Sequence, residues 1–100
     1  MRVYIEIVNK DLEKIRKSNS STRNSVFGHI SYLEGAGTEV RRPKADKVEK
    51  DIWELRPKKY RILYTYINNE AYLLVVFKKS GNKIPTKELE LARKRLESLK

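Results

Sequence analysis

Cysteine is absent from this chain of 100 residues, which excludes a disulfide framework and any thiolate zinc site. With one histidine, His29, no His-rich metal cluster can form either, and no metal or cofactor is expected. Only four glycines are present, and none is arranged as a phosphate-cradling loop. There is no internal repeat. No apolar run approaches a membrane span, and the first residues lack a signal-peptide core, so a cytoplasmic protein without a membrane partner is expected. Acid is the other scarcity: 13 Asp and Glu stand against 23 Lys and Arg, a formal charge of +10. At this length one hydrophobic core, hence a single domain over residues 1–100, is expected. Such a charge on so small a domain calls for an anionic partner, nucleic acid first and an acidic protein second.

The apolar pattern predicts the elements. Val3, Ile5 and Ile7 alternate with Arg2, Tyr4 and Glu6, which predicts a half-buried strand from Arg2 to Val8. Asn9 or Asp11 can cap a short helix carrying Leu12 and Ile15, which fades at Ser18-Asn19-Ser20-Ser21. A second helix starts near Ser21 or Thr22 with Val26, Phe27, Ile30 and Leu33 on one stripe, and Gly35-Ala36-Gly37 stops it. His29 lies off that stripe and reads as a surface histidine. Thr38 to Lys47 reads as a charged loop. At its middle, Arg41-Arg42-Pro43-Lys44 is either a solvated connector or a phosphate-contacting arm.

Three β-runs follow: one ending in Trp53-Glu54-Leu55-Arg56, then Tyr60-Arg61-Ile62-Leu63-Tyr64, then Tyr72 to Phe77 and Lys78-Lys79. The first two are separated by the basic turn Pro57-Lys58-Lys59. Asn68-Asn69 as a two-residue turn would pair Ile67 with Glu70. Counting back, Tyr60 then lies opposite Phe77, Ile62 opposite Val75, and Tyr64 opposite Leu73, on one apolar face. Arg61, Leu63 and Thr65 lie opposite Val76, Leu74 and Tyr72 on the other, with Lys78 opposite Lys59. Trp53 and Leu55 join the core, while Glu54, Arg56, Arg61 and Lys78 gather on the second face. A one-residue slip would reverse these assignments. Last, Pro85 suits a helix start. Thr86 to Leu99 carries Leu89, Ala92, Leu96 and Leu99 on one side, and the loop Ser80-Gly81-Asn82-Lys83 before it can offer donors to an anion.

Taken together, Trp53-Glu54-Leu55-Arg56, Tyr60-Arg61-Ile62-Leu63-Tyr64, Phe77-Lys78-Lys79, Lys83-x-Pro85-x-x-Glu88 and Ala92-x-x-Arg95-Leu96 resemble the RelE/ParE superfamily of type II toxins, in its HigB-like, phage-related branch. The second half of the chain carries the resemblance, while the first half matches in the order of its elements. The resemblance implies an α+β fold, a twisted antiparallel sheet with two N-terminal helices packed on it and a C-terminal helix beside it. It implies an mRNA endoribonuclease working in the ribosomal A site, against mRNA and 16S rRNA, with a cognate antitoxin of helix-turn-helix type as partner.

In that reading a ribose 2′-OH attacks the adjacent phosphate, which requires a base, positive charge on the phosphorane and an acid. Arg61 matches the strand arginine of RelE-type toxins, Arg56 the arginine of the HigB-like pattern, and Lys78 and Lys79 its basic strand end. Arg41, Arg42, Lys44, Lys58, Lys59 and Lys83 are the implied RNA contacts. The chain also departs from the family. Ile52 and Glu54 stand where RelE has two strand lysines, and Leu99-Lys100 ends a chain without the C-terminal aromatic or histidines. The base then falls to Glu54 or to a lysine of the Lys78-Lys79 pair. Two other readings share the fold: a ParE-like gyrase inhibitor, and a non-catalytic member that docks on RNA.

Overall fold

In the computed structural model, which describes residues 1–100, four strands form an antiparallel meander: β2 (Ala45–Glu49), β3 (Ile52–Leu55), β4 (Tyr60–Ile67) and β5 (Glu70–Lys78). Its β4–β5 joint is Asn68-Asn69, with φ of 51° and 62°, the left-handed pair that a two-residue hairpin turn requires and asparagine tolerates. Ile67 and Glu70 pair across it as the turn chemistry predicts. A fifth strand, β1 (Val3–Tyr4), adds in parallel to β5 through Val3–Ala71 and Tyr4–Tyr72, so the sheet is mixed, in the order β1-β5-β4-β3-β2. The fold is α+β and consistent with a RelE-like architecture.

β1 is shorter than its alternation predicts. Glu6–Val8 forms a 3-10 turn leading into α1 (Asn9–Arg16). The reason is the stripe Val8, Leu12 and Ile15, spaced four and three apart and almost fully buried, which only a helix can put on one side. Ile7, inward in the strand reading, is instead exposed. α2 (Ser20–Ala36) starts where the Asn19 side chain accepts from the Thr22 N–H at 2.9 Å, and ends at Gly37, whose φ of 61° disfavours other residues. The end of the expected loop from Thr38 to Lys47 is the start of β2, which begins at Ala45 and runs on to Glu49. Ala45-Asp46-Lys47-Val48-Glu49 has too little alternation to announce an edge strand, and a bulge between Lys47 and Glu49 interrupts the pairing. α3 (Thr86–Leu99) follows Pro85. No helix is long and apolar enough to cross a membrane.

Register carries the main correction. Tyr64 pairs with Leu73 and Thr65 with Tyr72, as counted from the turn, but Leu63 pairs with Val75, leaving Leu74 as a bulge. Beyond it every β5 side chain changes face. Ile62 meets Val76, Arg61 meets Phe77, and Tyr60 meets Lys78. Ile62, Tyr64, Leu73 and Val76 therefore share a core with Leu12, Ile15, Val26 and Leu33 of α1 and α2. Leu63, Leu74, Val75 and Phe77 build a second core with Ala92 and Leu96 of α3. Two consecutive residues, Leu74 and Val75, face the same way, and both are apolar, so the sequence carries no mark of the flip. Trp53 is half-buried against the first core and Leu55 fully buried within it.

Candidate active site

Alternation along β3 sends Trp53 and Leu55 toward α1 and α2, so Glu54 and then Arg56 emerge on the opposite side. Arg61 emerges there from β4, since its neighbours Tyr60 and Ile62 belong to the first core. The bulge delivers Phe77 to the same place. The chain after β5, Lys79-Ser80-Gly81-Asn82-Lys83, supplies the facing wall, and Val48, Ile84 and Leu89 close the apolar side. The result is a cleft of about 500 Å³ beside the start of α3.

Glu54 is the one carboxylate lining this cleft. Its side chain is 12 % exposed, and its Oε1 lies 3.3 Å from the Arg56 Nε, whose own side chain is 37 % exposed. A buried carboxylate needs such a partner. Arg61 is held differently. One of its terminal nitrogens donates to the Pro57 carbonyl at 2.9 Å and to the Tyr60 carbonyl at 2.7 Å, fastening the β3–β4 turn. Burial pushes its guanidinium below the ordinary value; the Arg56 charge acts in the same direction, and Glu54 opposes both. Lys79 anchors the cleft's other wall, its N–H donating to the Lys59 carbonyl at 2.9 Å. The wall turns at Gly81, where φ is 89°.

Of the catalytic candidates, Glu54, Arg56, Arg61 and Lys79 come together in the cleft, and so does Lys83 from the RNA-contact group. Lys78 does not. Paired with Tyr60 after the bulge, it leaves the sheet on the side of α1 and α2, opposite to its expected face. Lys58 is also on the helix side, its backbone N–H donating to Ser25 Oγ at 2.8 Å and its ammonium to Ser21 Oγ at 3.1 Å. Lys59 stands exposed at the tip of the turn, with φ of 66°.

Arg41, Arg42 and Lys44 do not line the cleft; they precede β2 at the sheet edge. The Arg42 Nε donates to Asp46 at 2.8 Å, and this hydrogen bond holds the Asp46 carboxyl below its usual range. The Lys44 ammonium sits 4.9 Å above the Tyr32 ring. Arg41 reaches Glu39 at 4.0 Å. That arm is fastened to its own surroundings rather than extended.

Sequence reasoning missed the apolar wall. The sequence places Phe77 in the helix-side core and gives Val48, just past the charged loop, no assignment. Leu89 sits on the stripe of α3, and only the tertiary structure shows that this end of the stripe borders a cleft. No group of three or more His, Asp or Glu side chains is gathered to hold a metal ion.

No curated protein matches the chain. Residues 13–97 match the model of the family described as Phage derived protein Gp49-like (DUF891), and the chain therefore belongs to that family of RelE-like toxins of toxin–antitoxin modules.

Proposed function

We propose that the protein is the toxin of a type II module in the HigB-like branch, and that it cleaves mRNA in the ribosomal A site. The observation that carries this reading is one buried carboxylate, Glu54, set among Arg56, Arg61 and Lys79 in a cleft with an apolar wall. A phosphodiester needs cations about its oxygens, and its 2′-OH needs a proton acceptor. With Lys78 on the far side of the sheet, Glu54 and Lys79 remain of the three groups named for proton transfer.

In this scheme Glu54 takes the 2′-OH proton as the 2′-oxygen attacks phosphorus. The bond to the 5′-oxygen breaks, leaving a 2′,3′-cyclic phosphate, and the departing oxygen takes a proton from the Lys79 ammonium. Arg56, the more exposed arginine, meets the phosphorane oxygens. Arg61 keeps its NH1 on the turn and offers its remaining donors from the cleft floor. The cognate antitoxin is expected to be a helix-turn-helix protein, and the toxin to act in the cytoplasm.

Primer extension on mRNA from programmed ribosomes tests the proposal. Cuts that appear within A-site codons only when ribosomes are present are expected. Tight ribosome binding without cleavage would leave a docking module, and inhibition of gyrase supercoiling would favour the ParE-like reading.

A further inference from the structure

The motif Ala92-x-x-Arg95-Leu96 carries an arginine that does not line the cleft. Arg95 is half-buried on α3 and takes no part in any ion pair of the protein. Instead its NH1 donates to the Leu74 carbonyl of β5 at 2.7 Å. Leu74 is fully buried, and it is the residue that the pairing of β4 with β5 leaves out. On its other side β1 reaches no farther than Tyr72. A buried carbonyl outside the ladder needs a donor, and a charged donor makes the stronger bond. α3 is a fixed mount for that donor, since Ala92 and Leu96 on either side of Arg95 belong to the second core.

The contact falls where the cleft is decided. A straight ladder counted from Asn68-Asn69 would pair Leu63 with Leu74, Ile62 with Val75 and Tyr60 with Phe77. Relative to the observed pairing it exchanges Val76 with Phe77, and Lys78 with Lys79, between the faces. Leu73 to Phe77 are apolar without a break, so the hydrophobic pattern fits both registers. The backbone distinguishes them. Hydrogen-bonded and non-hydrogen-bonded pairs alternate along an antiparallel ladder, and Ile67–Glu70 beside the two-residue turn is of the first kind. Ala71 keeps that phase, its N–H donating away from β4 to the Arg2 carbonyl. In the straight ladder Leu63–Leu74 would thus be a hydrogen-bonded pair, with the Leu74 carbonyl turned onto β4 and away from Arg95. Only the bulged register lets Arg95 make its bond. We propose that Arg95 locks the register of β5. It is a positioning residue that keeps Phe77 and Lys79, in place of Val76 and Lys78, on the cleft side. For its chemical consequence the proposal rests on the reading of the cleft as the site of RNA cleavage; for the register it does not.

The test compares Arg95→Met, which keeps a long apolar stem, with Arg95→Lys, whose ammonium can still donate to a single carbonyl. Through-space proton contacts in the NMR spectra of the full chain read the register directly. Wild type and Arg95→Lys should show Tyr60 beside Lys78 and Ile62 beside Val76. Arg95→Met should show a population with Tyr60 beside Phe77 and Ile62 beside Val75. Its cleavage of mRNA on ribosomes should fall roughly 10–10²-fold in kcat, the scale for a misplaced catalytic group, and Arg95→Lys should restore it. The activity left in Arg95→Met should be lost with Lys78→Gln rather than with Lys79→Gln. An Arg95→Met protein that keeps the wild-type contacts would overturn the proposal, since packing alone would then set the register. So would one that fails to fold while Arg95→Lys folds, because Arg95 would then hold the whole domain and not one strand. The outcome is separable from the cleavage reading. A register that slips in Arg95→Met, in a protein whose wild type never cuts mRNA, keeps the lock and removes the enzyme.

Discussion

Where α1 and α2 cover the sheet, aromatic rings close the surface. The Trp53 and Tyr66 ring centroids lie 4.9 Å apart at 75°, and those of Tyr64 and Tyr66 lie 5.4 Å apart at 84°. Their hydroxyls are satisfied internally. The two tyrosine oxygens are 3.3 Å apart, and Tyr66 donates to the Gly37 carbonyl at 2.8 Å. Burial pushes the Tyr64 hydroxyl far above its ordinary value, so it stays protonated. Where α3 covers the sheet, the second core is smaller and gives way to a cleft bearing Arg56, Lys79 and Lys83. The closed face uses its polar groups to fix the scaffold. The cleft keeps donors free, and a charged ligand can supply their partners. On the proposed function the first face carries stability and the second the chemistry, an assignment that substitutions can break.

The largest expected effect is on the closed face. Tyr64 is fully buried, and Tyr64→Ala should cost about 3–5 kcal/mol, the scale for truncating a core aromatic. Typical domains hold only about 5–15 kcal/mol, so the variant should melt far lower or fail to fold. Trp53→Ala should cost less, about 2–3 kcal/mol, because its ring is only half-buried. Thermal denaturation followed by circular dichroism measures both. If Tyr64→Ala melted like wild type, the aromatic face would not be the scaffold.

Next comes the cleft. Glu54→Gln keeps the shape and removes the proton acceptor, and should lower single-turnover mRNA cleavage by roughly 10²–10³ at equal ribosome occupancy. Folding should survive, since the Arg56 left without its partner is partly exposed. Undiminished cleavage would hand the base role to Lys79.

Arg61 belongs to both sides of the comparison. A strand arginine between two core residues reads from sequence as a free phosphate clamp, yet its NH1 is committed to two turn carbonyls. Arg61→Lys loses that fork, which an ammonium cannot copy. It should cost about 1–2 kcal/mol of stability, the range for hydrogen bonds from charged groups discounted for partial exposure. Cleavage should fall along with it. A variant of full stability and reduced cleavage would show the guanidinium acting on phosphate alone.

What was legible follows the same division. Helical stripes, the Asn68-Asn69 turn and the cleft-side place of Glu54, Arg56 and Arg61 were readable, because period and turn chemistry are local. The bulge was not. Leu74-Val75-Val76 is apolar throughout, so no polar residue marks where the alternation breaks, and Lys78 and Phe77 were exchanged between faces. β2 was hidden because an edge strand with one bulge and two apolar residues, Ala45 and Val48, resembles a charged loop.

The smallest predicted effect concerns the helix that borders the cleft. Arg93 of α3 grips Glu49 of β2 with two hydrogen bonds, Nε to Oε2 at 2.9 Å and a terminal nitrogen to Oε1 at 2.6 Å. The pair clamps α3 across the sheet edge, yet the side chains are 53 % and 30 % exposed, so water screens it and its contribution is small. Arg93→Gln should therefore lower Tm by about 2–6 °C at neutral pH. The hydrogen bond to Arg93 holds the Glu49 carboxyl below its ordinary value of 4.5. A depressed carboxylate stabilises the fold fully above its unfolded value and loses that contribution as pH falls through the folded one. The gap in Tm between wild type and Arg93→Gln should thus stay constant at neutral pH, and close as the pH falls below the ordinary carboxylate value and through the depressed one of Glu49. Asp46, held low by Arg42, titrates equally in both proteins and cancels from the difference. A gap that persisted at pH 3 would mean that Arg93 stabilises α3 through its aliphatic stem, not through Glu49.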